Sequence, residues 1–208
     1  VQALGWMEGC VLDGLRDLAA LPAHARMRGS LTRHLDLFFK ADGQLVYEGS
    51  RGEPADNRTT GIESTLPYAV LAWERPEHPA LNIALKFWRQ YAGQAGEGCI
   101  IAGGTTTSEG AYTVGYPLAA VARQRKDLAL AESALKQLMV RQQRLFDGKV
   151  FSRTHAVKEG RVVSGNRNWC RGVAWQILGF ARTLAVLDGL IDISAAKTEL
   201  VRLADWVR

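Results

Sequence analysis

Apolar residues recur at helical spacing along most of this chain. Trp6, Cys10, Val11, Leu15, Leu18 and Ala19 form one stripe, which predicts a helix ended by Pro22. A second helix is predicted over residues 25–39, with Leu31, Leu35 and Phe38 on one face. Asp42-Gly43 then marks a turn, and residues 44–48 read as a short strand. Residues 49–60 are polar and loop-like. Further helices are predicted over 61–73, 81–91, 108–122, 128–144, 168–187 and 194–207. A glycine-rich stretch fills 93–104. Residues 149–163 read as a β-hairpin with Glu159-Gly160 at its tip.

The helices come in pairs, each pair following a longer loop. The first helices open near Trp6, Gly61, Gly110 and Gly172, at intervals of 55, 49 and 62 residues. Each first helix is apolar nearly all round, as in Leu66 to Ala72, Val114 to Val121 and Val173 to Phe180. Each second helix is amphipathic, as in Ala131 to Leu138. An all-round apolar helix belongs in an interior, and an amphipathic one faces solvent on one side. The pattern predicts an all-α fold: an (α/α) toroid of helical hairpins with an inner and an outer layer. A protein-binding α-solenoid has similar elements. However, this period exceeds those of the common solenoid repeats, and every long loop precedes an inner helix. The loops therefore gather on one rim, where a pocket can be built.

Composition narrows the classes. The 208 residues are 47% apolar and 23% charged, which fits a folded globular chain rather than a disordered one. No apolar run reaches the ~18 to 20 residues that span a bilayer, so no membrane partner is expected. The segment Val1 to Trp6 lacks the charged start and long apolar centre of a signal peptide. It also lacks an initiator Met, so a processed chain or a fragment is expected. Net charge is +5, from 26 basic and 21 acidic residues, but the basic residues are scattered. Nucleic acid is therefore not expected as a partner. Cys10, Cys99 and Cys170 fit neither a metal pattern nor a disulfide framework. They read as reduced, mostly buried thiols in a cytoplasmic protein. Neither a metal nor a cofactor is predicted. Gly103-Gly104-Thr105-Thr106 lacks the lysine and strand–helix setting of a phosphate-binding loop.

The densest chemical signal runs from Asn166 to Ala181. Here an aromatic, an arginine and a glycine open an inner helix. Arg171 at that N-terminus can clamp a carboxylate through two parallel hydrogen bonds, assisted by the positive end of the helix. Trp169 and Trp175 can offer flat faces to a sugar ring. The plainer alternative makes both tryptophans core residues and Arg171 a structural ion-pair partner.

The segment W-x-R-G-x-A-W-x-x-x-G-F-A resembles one in the unsaturated glucuronyl and rhamnogalacturonyl hydrolases, glycoside hydrolase families 88 and 105. Trp6-Met7-Glu8-Gly9 resembles the start of their first inner helix, and Gly61-Ile62 with Leu66 to Trp73 their second. Tyr116-Pro117-Leu118-Ala119 resembles their third. The resemblance spans about Trp6 to Leu187. It implies a six-hairpin barrel. Four hairpins in 208 residues are ~52 residues each, so six need roughly 310. Residues 1–208 are therefore expected to form a single barrel domain that lacks its C-terminal hairpins.

The resemblance also implies a reaction. A carboxylic acid protonates the C4=C5 double bond of an unsaturated uronic acid left by a polysaccharide lyase. Water then adds at C5, and the hemiketal collapses to release the neighbouring sugar. The expected partner is thus a small anionic oligosaccharide. The family's acid lies six residues before the third-repeat proline, where this chain has Ala111. Glu109 is the nearest carboxyl and the expected acid, though a helix-capping role suits it too. The family's second carboxylate falls on Thr59, with Asp56 just upstream as its expected substitute, while Glu63 reads as a solvated or capping residue. His155 matches a family histidine near the substrate, while on residue type alone a lone loop histidine also reads as solvated. His24, His34 and His78 read as surface residues. Tyr112 and Tyr116 are core by default, and Trp6 and Tyr112 are expected to line the sugar site. A sugar epimerase on such a barrel needs paired rim histidines, and only His155 is available. The Ala111 and Thr59 departures keep a non-catalytic carbohydrate-binding or scaffold relative as the main alternative.

Overall fold

The computed structural model describes residues 4–48, 54, 57–92, 98–101, 104–158 and 161–208. Among the described residues, eight α-helices alternate between two layers, as the hydrophobic pattern requires. The inner helices are α1 (Trp6–Ala20), α3 (Pro67–Glu74), α5 (Tyr116–Arg125) and α7 (Cys170–Leu187). The outer helices are α2 (Met27–Phe38), α4 (Leu81–Tyr91), α6 (Leu128–Leu145) and α8 (Ser194–Val207). Each outer helix packs on the inner helix before it. Around the inner layer α1 packs on α3, α3 on α5 and α5 on α7. This is an all-α toroid, built here from four helical hairpins.

The two layers differ as predicted. In α3 every residue from Pro67 to Ala72 is buried, and α5 is buried from Tyr116 to Ala122. The outer α2 buries only Leu31, Leu35 and Phe38. α1 and α7 end the series and differ from the middle pair. Met7, Val11, Gly14 and Leu18 form an exposed stripe along α1, as do Ala174, Leu178, Ala181 and Ala185 along α7. The two helices meet through side chains: Trp6 lies edge-on to Trp175 at 5.3 Å, and Arg182 pairs with Asp13 and Asp17.

Local structure departs from the pattern in four places. Residues 61–66 form a 3₁₀ turn, Ile62–Thr65, before α3 starts at Pro67. The third inner helix opens with a π-helical turn, Ala111–Gly115. Its loosened backbone takes side-chain partners: the Thr65 hydroxyl donates to the Thr113 carbonyl, and Thr113 Oγ1 to the Glu109 carbonyl at 3.1 Å. The predicted strand 44–48 makes only isolated bridges, Phe39 to Leu45 and Glu48 to Pro54. The predicted hairpin is present but shifted: β2 (Ser152–Lys158) pairs antiparallel with β3 (Arg161–Arg167), Lys158 opposite Arg161. Its expected tip, Glu159-Gly160, lies outside the described residues. A short β1 (Thr106–Thr107) pairs with β2 and completes a three-stranded sheet, β1-β2-β3, over the rim.

Two sequence expectations are corrected. His78 is buried rather than on the surface, because its Nδ1 accepts from the Ala80 N–H while its ring packs edge-on to Phe39. Burial and nearby Arg75 push its pKa below the usual histidine range. Of the three free cysteines only Cys99 is buried. Cys10 is half-buried, and Cys170 is exposed on the first turn of α7. No described helix is long and apolar enough to cross a membrane.

Glycines set the closest approach of the inner helices. A Cβ on Gly179 would lie 2.3 Å from the Ala111 carbonyl carbon, whereas one on the exposed Gly14 would meet nothing within 4 Å. Chemical denaturation is therefore expected to show Gly179→Ala less stable by about 2 kcal/mol or more, since backbone cannot retreat like a flexible side chain. Gly14→Ala is expected to gain about 0.5 to 1 kcal/mol from helix propensity.

Candidate functional site

The rim is assembled from the loop before the third inner helix, from β2, and from the start of α7. Asn166 and Asn168 turn the chain from β3 into α7 with φ of 51° and 50°, a left-handed conformation that asparagine tolerates. Asn168 also clasps Phe151: its N–H donates to the Phe151 carbonyl at 2.6 Å, and its Oδ1 accepts from the Phe151 N–H at 2.9 Å. This anchors the base of the hairpin and delivers Trp169 to the N-cap of α7.

Glu109 is buried, with 6% of its surface exposed. Its Oε1 accepts from Arg153 Nε at 2.6 Å, and its Oε2 from Ser108 Oγ at 3.3 Å. Arg153 stands on β2, and its carbonyl accepts the Ser108 N–H at 2.9 Å, so backbone and side chain bind the same segment. The Arg153 guanidinium lies over the Trp169 ring at 4.9 Å, and the Arg171 guanidinium over the same ring at 4.3 Å. A Cβ on Gly172 would stand 3.0 Å from the Trp169 ring and 3.2 Å from Ser108 Oγ. A side chain there would press on both, so the glycine eases the close approach of α7 to the rim. The Trp169 ring, expected as a sugar platform, carries two cations here. His155 lies two residues beyond Arg153 on the same face of β2, opposite Thr106.

Below the rim lies an aromatic cluster. Tyr112 stacks on Trp175 at 5.7 Å and on Tyr116 at 5.7 Å, and Trp175 meets Trp6. The two tyrosines share one acceptor that the sequence reading did not single out, Asp13 on α1. Tyr112 and Tyr116 donate to its two oxygens, the latter at 2.9 Å, and Arg182 of α7 pairs with it at 3.1 Å. Asp13 is 1% exposed. Its signal was present: it lies seven residues from Trp6 on the inward side of an apolar helix, where a lone carboxylate needs partners. Burial, reinforced by Asp13, pushes both phenols well above the ordinary tyrosine range.

The structure thus gathers the expected residues into two adjoining groups. Glu109, Trp169 and Arg171 form the rim group, with His155 beside it. Trp6, Tyr112 and Trp175 form the aromatic group beneath. Arg153 and the fully buried Arg141 were not anticipated. Arg141 donates to the Ile100, Thr107 and Gln137 carbonyls, so it holds the rim loop from behind. Asp56 lies outside the described residues. Thr59 shares a 3.2 Å hydrogen bond with Tyr68 and borders a separate cleft of about 400 Å³ that also holds Arg58 and Lys86. Glu63 is exposed, as expected. No metal-binding group of His, Cys, Asp and Glu occurs among the described residues.

No protein-family model matches the chain, and no curated protein matches it. Solved structures do. One is a possible member of the GH105 family from Salmonella enterica serovar Paratyphi A, with TM-score 0.68 and 17% identity. Another is a possible GH105 member from Klebsiella pneumoniae, with TM-score 0.68 and 18% identity. Each covers 97% of this chain, and this chain spans 53% of each. The chain therefore shares their fold over about half of their length.

The Asp13 cluster predicts two behaviours. Asp13→Asn is expected to lower stability by about 1 to 3 kcal/mol, because an amide offers one acceptor oxygen where two buried phenols donate, and Arg182 keeps only Asp17. The contribution of the two tyrosines should hold steady up to about pH 10 and be lost above it. The reason is that the unfolded chain releases its phenolic protons there while Tyr112 and Tyr116 keep theirs in the folded state. Denaturant melts across that range should show a shallower fall for Tyr112→Phe and Tyr116→Phe.

Proposed function

We propose that the chain is a glycoside hydrolase of the GH105 type that acts on unsaturated uronic acids in lyase-generated oligosaccharides. One observation carries the reading: a buried carboxyl, Glu109, stands beside an arginine-bearing aromatic rim on a toroid shared with GH105 structures. Arg171 makes no ion pair with any described residue, which leaves its guanidinium open to the uronate carboxylate. Arg153 Nε–H donates to Oε1 of Glu109, so a proton on this carboxyl sits on Oε2. From there it passes to C4 of the double bond, water adds at C5, and the hemiketal opens to release the neighbouring sugar. Trp6, Tyr112 and Trp175 stand as the aromatic wall of this proposal, with Trp6 the most accessible of the three. Asp56 stands as the second carboxylate of this proposal, and His155 as a rim contact to the substrate.

A second reading has its own support. Ala111 occupies the position of the family's acid, and Glu109 is engaged by Arg153, which suits a carbohydrate-binding relative without turnover. The two readings separate by the ultraviolet absorbance of the conjugated uronate. Unsaturated disaccharides from pectin- and glycosaminoglycan-type chains are expected to lose that absorbance with wild type. Glu109→Gln should be slower by about 10²- to 10⁴-fold in kcat. Arg171→Met should act mainly on KM. No loss on any disaccharide would favour the binding relative, and an unchanged Glu109→Gln would move the acid to Asp56.

A further inference from the structure

We propose that Arg153 is a bridging residue: one guanidinium holds both the acid Glu109 and the carboxylate of the bound uronate. This rests on the reading above of Glu109 and Arg171. Arg153 has five N–H donors in a rigid fork. Among the described residues only its Nε is engaged, by Glu109 Oε1 at 2.6 Å, so its terminal nitrogens remain open. Its side chain is one-third exposed while Glu109 is almost wholly buried, so the open end of the fork faces the rim. The position of the fork is fixed from three sides. Glu109 holds its Nε, the Trp169 ring underlies it, and its backbone carbonyl accepts from Ser108.

The substrate's own chemistry makes the bridge useful. The carboxylate of an unsaturated uronate is bonded to C5, and the carbon to be protonated, C4, is its neighbour. A guanidinium that grips this carboxylate and the acid together sets the distance between Oε2 and C4. Charge agrees with such a seat. Arg153 and Arg171 bring two positive charges, and Glu109 brings none while it carries the proton it donates. The rim is then cationic where the carboxylate would sit. Arg171, its guanidinium 4.3 Å from the same indole, is the second grip of this proposal. In this arrangement Trp169 organises cations rather than stacking on sugar.

Two measurements on the 208-residue chain test the bridge. Calorimetric titration with the saturated sugars glucuronate and galacturonate, against glucose, reads the carboxylate seat without turnover. Wild type is expected to bind the uronates and not glucose, and Arg153→Met to weaken binding by about 10-fold or more. Steady-state rates on the unsaturated disaccharide read the positioning. Arg153→Lys is expected to keep uronate binding within a few-fold, because the charge remains. It should still lower kcat by about 10-fold or more, because one ammonium cannot hold two carboxylates in fork geometry. Uronate binding by Arg153→Met within twofold of wild type overturns the proposal. So does Arg153→Lys with wild-type kcat, or a wild type that ignores uronates. If Arg153→Met does not fold, the lysine variant decides alone. Uronate binding without turnover in wild type would instead sink the hydrolase reading and leave the seat to be judged by titration.

Discussion

Asp13 is the constraint around which the inner layer is organised. A carboxylate with almost no contact with solvent must be met by donors or counter-ions, or the fold loses several kcal/mol. Here Tyr112, Tyr116 and Arg182 meet it, and these come from two other inner helices. The consequence is geometric. Tyr112 and Tyr116 have to stand parallel, which they do at 6° between their rings, and the π turn over Ala111–Gly115 accompanies that alignment. Stacked Tyr112 then supports Trp175, and Trp175 meets Trp6. The first and last inner helices are thus drawn together by one charge and one aromatic column.

The rim above inherits its position from that column. Glu109 lies three residues before Tyr112, about one helical turn, so fixing Tyr112 limits where the carboxyl can be. Gly110 sits flush against the buried Arg141, where a Cβ would come within 2.3 Å of the guanidinium. Arg141 in turn bonds the carbonyls of Ile100 and Thr107. A buried cation satisfied by backbone carbonyls and an amide makes a rigid backing for the rim loop. In front of it Glu109, Arg153, Trp169 and Arg171 form a continuous contact chain across three segments far apart in sequence.

The alternation of buried and amphipathic helices was legible because it follows from local periodicity. The last helix, residues 194–207, has the bounds that its pattern predicts. The Trp169 to Arg171 segment was legible because its unusual residues are consecutive. What escaped depends on pairing across the chain. Asp13 and Tyr116 are 103 residues apart, and Glu109 and Arg153 are 44 apart, so neither partnership leaves a local mark. Arg153 alternates with His155 along a strand, a pattern shared by many solvated hairpins. His78 was misplaced because its burial depends on Phe39, from the preceding hairpin. The strand expected over 44–48 failed because the chain there makes single bridges and no ladder.

The account's central claim is that the arginine rim beside Glu109 is the seat of a uronate. A crystal structure of the Glu109→Gln variant with an unsaturated disaccharide tests this most directly. The uronate carboxylate should lie on Arg171 and Arg153, with C4 of the ring beside the side chain of residue 109 and the sugar over Trp6, Tyr112 and Trp175. A disaccharide seated elsewhere would contradict the claim. The basic cleft of Arg58 and Lys86 beside Thr59 is the most telling such place, with the arginine rim left empty.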